Sequence, residues 1–133
     1  PYVAKLGAAG IRVSLFIEPD RRQLDAARSL GAPVVELHTG AYCEARGSEQ
    51  ARHLVRIRDA AEYATALGLE CHAGHGLDFD TVAPIAAIPE LYELNIGHFL
   101  IGEAIFSGLD SSIKRMRALM DNARADATGS RSA

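Results

Sequence analysis

The sequence predicts an α/β fold in which the strands run parallel. Short β-branched, apolar segments alternate four times with longer amphipathic segments, and only a few residues join one segment to the next. Such alternation indicates parallel strands joined by right-handed helical crossovers. Two architectures fit: an open doubly wound sheet, or part of a closed (β/α)8 barrel. A whole barrel needs about 250 residues, so four units in a chain of 133 residues would make about half of one.

The first two strands and the helix between them can be assigned from local patterns. Residues 1–10, PYVAKLGAAG, are typical of the last turns of a helix closed by Gly10. Residues 11–17 form an apolar strand that ends at the turn signal EPD. Residues 20–31 carry an apolar stripe at helical spacing, and residues 33–40 form the second strand. Because the chain starts inside a helix, we expect it to be a piece of a longer protein.

The remaining units repeat this order. Their predicted bounds are helix 48–68 with Ser48 as N-cap, strand 69–76, a short helix 80–89 interrupted by Pro84, strand 93–102 and helix 109–125. Residues 126–133 are small and polar. We therefore expect one domain over residues 1–125 and a frayed or disordered tail after it.

Composition argues against several classes of protein. A net charge of −3 and a pI near 5.9 leave no basic surface for nucleic-acid phosphates. No apolar run approaches the roughly 20 residues that span a bilayer. Cys43 and Cys71 stand apart, without the C-x-x-C spacing of zinc or redox sites. We expect a cytoplasmic protein with neither nucleic-acid nor membrane partners.

Polar residues gather where parallel strands end, which is where both architectures bind ligands. These residues are Glu18, Glu36, His38, Thr39, His75, Asn95 and His98. In VVELH, Glu36 and His38 share one face while Val35 and Leu37 share the other. An unpaired carboxylate on an inner face is costly, so Glu36 needs a partner or a ligand. A structural ion pair inside a barrel is the alternative.

The stretch HAGHGL, residues 72–77, suggests an anion site more than a metal site. Strand alternation would place His75 on the face of Cys71 and Ala73, and His72 on the opposite face, towards the helices or the rim. The two histidines therefore do not readily chelate one metal. Chelation by His75 with Glu36 and His38 has no spacing motif to support it.

Glycines flank His75 at Gly74 and Gly76, which indicates a loop whose backbone N–H groups approach an anion. A glycine-rich turn with an exposed histidine is the alternative. The next unit supports the anion site, because Gly97–His98 precedes a short apolar turn, as in phosphate-binding barrels. His98 could instead be a half-buried histidine satisfied by the backbone.

Several runs together resemble the pyridoxine 5′-phosphate synthase family. They are GIRVSLFIEPD, GAPVVELHTGAY, LGLECHAGHGL and IPELYELNIGHFLIGEAIFSGL, and they match in order up to about residue 125. The resemblance implies a (β/α)8 TIM barrel in which residues 1–125 are the carboxyl-terminal half, strands five to eight. The sequence departs from the family pattern at His72, where we expect the family to have a smaller polar residue.

The resemblance also implies an activity and a site. The family is a transferase of vitamin B6 biosynthesis that condenses 3-amino-2-oxopropyl phosphate with 1-deoxy-D-xylulose 5-phosphate, without metal or organic cofactor. It implies that His75 is the proton donor and that Glu36 stabilises the transition state. It implies that Gly76, Gly97 and His98 bind the aminooxopropyl phosphate. A cytoplasmic homo-oligomer, possibly an octamer, is expected.

The resemblance places the family's other acid–base residues, and most contacts to the deoxyxylulose phosphate, in strands one to four. We therefore expect the 133-residue chain alone to be inactive, with half-barrel edges open to pairing. Two alternatives remain. One is another phosphate-handling barrel, such as one that makes a thiazole or an indole, and the other is a non-catalytic half-barrel that binds phosphate or assembles.

Overall fold

The computed structural model describes residues 2–129, in which four parallel strands form one sheet in the order β1-β2-β3-β4. The strands are β1 (Ser14–Ile17), β2 (Val34–His38), β3 (Glu70–Gly74) and β4 (Leu91–Asn95). The helices are α1 (Tyr2–Ala8), α2 (Arg21–Ser29), α3 (Gly40–Glu44), α4 (Gly47–Ala66), α5 (Val82–Ala86), α6 (His98–Ser107) and α7 (Leu109–Gly129). The predicted alternation of parallel strands and helices is confirmed, and it is consistent with half of a TIM barrel.

One face of the sheet packs against helices. Val35 and Leu37 of β2 are buried in the main apolar cluster together with Cys71 and Ala73 of β3. Helices α2, α4 and α5 supply the other side of this cluster through Leu24, Ala27, Ile57, Ala60, Ala61, Ala64 and Ile85. The small alanines of α4 let that helix lie close to the strands. The apolar half of the VVELH alternation therefore faces the helices, as the sequence predicts.

The opposite face carries polar side chains in register. Phe16 pairs with Glu36, Glu36 with His72, and His72 with Glu93, so these four residues form one row across the sheet. Paired residues of parallel strands point to the same side of the sheet. The expectation that His72 faces the helices or the rim is therefore wrong, because its ring shares the face of Glu36 and is buried.

Helix starts and ends differ from the predictions in three places. Helix α4 begins at Gly47 with Arg46 as N-cap, not with Ser48. Pro84 does not interrupt α5, because it lies in the first turn, where its missing N–H has no helical partner. Helix α7 continues to Gly129, so it includes the start of the predicted tail, and residues 130–133 lie outside the described residues.

The fourth strand is shorter than predicted. It ends at Asn95, and the second half of the predicted strand 93–102 belongs to helix α6. The run NIGHFLIG is apolar at both strand and helix spacing, so periodicity alone cannot separate the two. Helix α3 was also missed, because its five residues, GAYCE, are too few to show a helical stripe.

The described sheet has two open edges. Within residues 2–129, β1 and β4 each pair with one neighbour only. Large apolar side chains are exposed on and near the open face, among them Phe16, Ile101, Ile105 and Phe106. Among these residues no helix is long and apolar enough to cross a membrane.

The buried residues of β2 should contribute strongly to the stability of the fold. Leu37 is fully buried, so Leu37→Ala should lower the free energy of unfolding by about 2–5 kcal/mol, through lost transfer energy and the cavity left behind. Urea titration followed by circular dichroism measures this. Val55→Ala is the matched control, because Val55 is half exposed on α4 and surface changes stay within about 0.5 kcal/mol. Equal losses in the two variants would contradict the assignment of Leu37 to the core.

Candidate active site

An open cleft lies at the carboxyl ends of β2, β3 and β4 and has a volume of about 710 Å³. Its lining includes all the predicted site residues, namely Glu36, His75, Gly76, Gly97 and His98. Asn95, Ile96, Phe99, Gly102, Glu103, Phe16, Leu77 and Phe106 complete the lining. The structure thus brings together predicted site residues as far apart in the sequence as Glu36 and His98.

His75 follows β3 directly and has a φ of 79°. Among residues 2–129 it is the only non-glycine residue with positive φ, a conformation that favours glycine and is costly for other residues. This reversal breaks the alternation that would carry His75 to the helix face with Cys71 and Ala73. The predicted face is therefore wrong. The ring instead lies 4.8 Å from the ring of His38 between centroids, on the Glu36 side of the sheet.

Thr39 holds the turn that contains His75. Its backbone N–H donates to the carbonyl oxygen of Gly74 at 2.8 Å. Its hydroxyl oxygen lies 2.8 Å from the Gly74 carbonyl oxygen and 2.6 Å from that of His75. One hydroxyl proton serves these two carbonyl groups by sharing or alternation. Thr39 is fully buried, and its bond to Gly74 is buried as well, so the end of β2 holds the chain where it leaves β3.

Glu36 stands directly over Gly74. A Cβ atom built on Gly74 would collide with Oε1 of Glu36 and would lie 2.7 Å from the carbonyl oxygen of Asn95. Glycine is thus required at the end of β3 to leave room for the carboxylate. Glu36 is half buried at the cleft wall, where a negative charge acts in a medium less polar than water.

Gly76 continues the turn with a φ of 86°. A Cβ atom there would lie 3.2 Å from Cβ of Cys43 and 3.4 Å from its Sγ atom. Burial raises the pKa of the Cys43 thiol, so this neighbour is an uncharged thiol that packs against the turn. Gly76 therefore has two constraints, its backbone conformation and the closeness of α3.

The amino terminus of α6 forms the opposite wall. Gly97 is its N-cap and makes no side-chain cap hydrogen bond, and His98 is its first residue. The free N–H groups of a helix start, together with the helix dipole, favour an anion. His98 is exposed, so the alternative of a half-buried histidine is wrong, and it begins a helix where a strand was predicted.

His72 precedes Gly74 by two residues on β3 and therefore shares its face of the sheet. Its ring lies close to two carboxylates. Its Nε2 atom is 2.8 Å from Oε1 of Glu70, and its Nδ1 atom is 3.7 Å from Oε1 of Glu93. A hydrogen bond from the Arg12 guanidinium lowers the pKa of Glu70, and the hydrogen bond with His72 lowers it further. This buried histidine thus lies between a carboxylate of β3 and a carboxylate of β4. Among the described residues no group of three or more ligands could hold a metal.

Residues 1–122 match the family described as "Pyridoxal phosphate biosynthesis protein PdxJ". The chain belongs to this family. The pyridoxine 5′-phosphate synthase of Rhodospirillum rubrum is 68% identical over 124 residues, 92% of this chain and 50% of that relative. The enzyme of the same name from Zymomonas mobilis is 64% identical over 126 residues, 95% of this chain and 49% of the relative.

The pyridoxine 5′-phosphate synthase of Roseobacter denitrificans is 58% identical over 128 residues, 93% of this chain and 51% of the relative. The chain thus spans about half the length of the curated relatives it matches. The family resemblance inferred from the motifs HTG-x-Y, AGHGL and ELNIGH is confirmed. The region that matches the PdxJ family ends at residue 122, within α7.

Sequence reasoning missed the apolar part of the cleft. Phe16, Phe99 and Phe106 line it, but a phenylalanine in a strand or helix carries no chemical signal that distinguishes a binding wall from a core. The position of Phe99 and Phe106 also depends on helix α6, which the sequence alone assigned partly to a strand. Only the orientation of that helix brings the two rings to the PdxJ cleft.

Gly74 provides a direct test of this packing. Gly74→Ala should destabilise the protein by about 1–3 kcal/mol, the usual cost of overpacking, because the methyl group would push Glu36 and the Asn95 carbonyl group away. Gly102→Ala is the matched control, since nothing lies within 4 Å of its Cβ position and alanine gains roughly 0.5–1 kcal/mol over glycine in a helix. Urea unfolding compares the two. A Gly74→Ala protein as stable as the wild type would contradict the close approach of Glu36.

Proposed function

We propose that this chain supplies strands five to eight of a (β/α)8 barrel with pyridoxine 5′-phosphate synthase activity. The observation that carries the proposal is that Glu36, His75, Gly76, Gly97 and His98 line one cleft in a chain of the PdxJ family. Four parallel strands with two open edges, in a chain half as long as its relatives, support the barrel. The other strands, in this proposal, close those edges.

The reaction joins 3-amino-2-oxopropyl phosphate to 1-deoxy-D-xylulose 5-phosphate and closes a pyridine ring. Imine formation, dehydration and ring closure each move protons, and an imidazole can donate or accept protons near neutral pH. His75 suits the role of proton donor because its ring is exposed at the cleft. The rigid turn that carries it would hold the ring in one place during the reaction.

Glu36 suits the stabilisation of positive charge. Its carboxylate is fixed above Gly74 at the cleft wall, and a fixed charge in a partly desolvated site stabilises a cationic imine or ammonium intermediate more strongly than in water. The start of α6, with Gly97 and His98, suits the phosphate group of the aminooxopropyl substrate. The two sites lie on opposite walls, so one substrate could span them.

The remaining parts of the proposal rest on the family alone. The other acid–base groups and the contacts to the deoxyxylulose phosphate would come from strands one to four, and the 133-residue chain alone would be inactive. A cytoplasmic homo-oligomer without metal or organic cofactor is the corresponding proposal for the whole protein.

The activity is tested on the full-length protein, which means this chain together with the other half that its relatives contain. This protein is incubated with both phosphate substrates. We expect formation of pyridoxine 5′-phosphate, which is detected by its absorbance, and release of inorganic phosphate. Folded full-length protein that forms no product would contradict the proposed activity and would favour a different phosphate-handling barrel or a non-catalytic one.

The role of His75 is tested by His75→Asn in the full-length protein, because asparagine tolerates positive φ better than most residues. Turnover should fall by about 10²–10⁴-fold, the usual contribution of general acid–base catalysis, while KM changes little. His53→Asn on α4 is the matched control, since His53 lies outside the cleft lining. Unchanged turnover in His75→Asn would remove His75 from the reaction.

A further inference from the structure

A second histidine packs directly against His75. The ring of His38, the last residue of β2, is inclined by 58° to the His75 ring. Phe16 of β1 packs edge-on against His38 with 5.1 Å between ring centroids. His75 lines the cleft, whereas the described lining does not include His38. The His38 ring therefore packs against His75 from outside the cleft lining.

Glu18 fixes the orientation of the His38 ring. The Nδ1 atom of His38 lies 2.7 Å from Oε1 of Glu18, which follows the end of β1. An ionised carboxylate can only accept hydrogen bonds, so Nδ1 of His38 carries a proton and donates it to Glu18. In the neutral ring the Nε2 atom is then the unprotonated nitrogen. This interaction selects one tautomer and one orientation of His38.

Glu18 is itself held by two helices. Nη2 of Arg56, on α4, lies 3.6 Å from Oε2 of Glu18, and Nε of Arg56 donates to the Pro19 carbonyl oxygen at 2.9 Å. The backbone N–H of Glu18 donates to Oε1 of Gln23, on α2, at 3.0 Å. Asp20 and Arg22 line the same surface pocket as Glu18 and Arg56, and His75 packs against His38. The Glu18 carboxylate thus contacts the His38 ring on one side and the Arg56 guanidinium on the other.

Gly40 makes room for both rings. A Cβ atom at Gly40 would lie 2.8 Å from Nε2 of His38 and 3.3 Å from Cδ2 of His75. The first residue of α3 is thus in contact with both imidazoles and is buried. Phe16, Gly40 and His38 thus border one side of the His75 ring.

We propose that Glu18 and His38 form a carboxylate–imidazole pair that positions the His75 ring for proton donation. This inference rests on the proposed function. His38 and Glu18 are positioning residues, since they act through His75. Glu18 holds the His38 ring through Nδ1, and the His38 ring packs against His75 with 4.8 Å between ring centroids.

The test compares Glu18→Gln, His38→Gln and Glu18→Asp in the full-length protein. Glu18→Gln and His38→Gln should each lower kcat about 10-fold, a part of the roughly 10²–10⁴-fold that acid–base catalysis provides, with KM nearly unchanged. The double variant should lose no more than about the larger single loss, because both changes break the same pair. Glu18→Asp keeps the charge and should restore much of kcat.

A spectroscopic measurement separates positioning from general damage to the fold. Long-range ¹H–¹⁵N spectra of the substrate-free protein report the tautomer and protonation of each histidine ring. Glu18→Gln should change the ring signals of both His38 and His75. Glu49→Gln is the matched control, because Glu49 forms an exposed ion pair with Arg52 on α4 and should leave kcat and both rings unchanged.

Unchanged kcat in both Glu18→Gln and His38→Gln would overturn the proposal. Lower kcat with unchanged His75 ring signals would also overturn it, because the loss would then come from elsewhere in the fold. If the wild-type protein forms no pyridoxine 5′-phosphate, the proposed function fails. The ring signals still decide whether the Glu18–His38 pair orients His75, so the two failures are distinguishable.

Discussion

The site depends on the bonds that Thr39 makes to the end of β3. Backbone alternation alone would turn the residue after Gly74 towards the helices, where an imidazole has no polar partner. The Thr39 amide and hydroxyl groups bind the carbonyl groups of Gly74 and His75 instead and hold a positive φ at His75. Such a backbone costs about 1–3 kcal/mol in a non-glycine residue. A pair of buried hydrogen bonds, each worth roughly 1 kcal/mol, offsets a cost of this size.

Three glycines adapt the surroundings to this turn, each for a different reason. Gly74 leaves space for the Glu36 carboxylate, Gly40 leaves space for two imidazole rings, and Gly76 adopts a second positive φ beside Cys43. The positions of the polar side chains therefore depend on the absence of Cβ atoms at these three glycines. The buried His72 ring lies on the same face, between the carboxylates of Glu70 on β3 and Glu93 on β4.

The sequence predicted the parallel α/β order and the residues that meet at the strand ends, because periodicity and strand-end chemistry are local signals. It failed where local signals conflict. His75 was assigned to the wrong face because a positive φ at a histidine has no sequence signature, and α6 was assigned to a strand because NIGHFLIG fits both periods. The position of His72 depended on pairing with β2 and β4, and tertiary contacts of that kind are absent from any single segment.

The two walls of the cleft differ in how much change they tolerate. On the β2–β3 side, added atoms meet Glu36, His38 or Cys43 at once. On the α6 side, Cβ positions at Gly97 and Gly102 meet nothing within 4 Å, and Phe106 is largely exposed. Within this chain, added side-chain atoms at Gly102 of α6 would therefore change the shape of the cleft while the packing around Gly40, Gly74 and Gly76 stays intact.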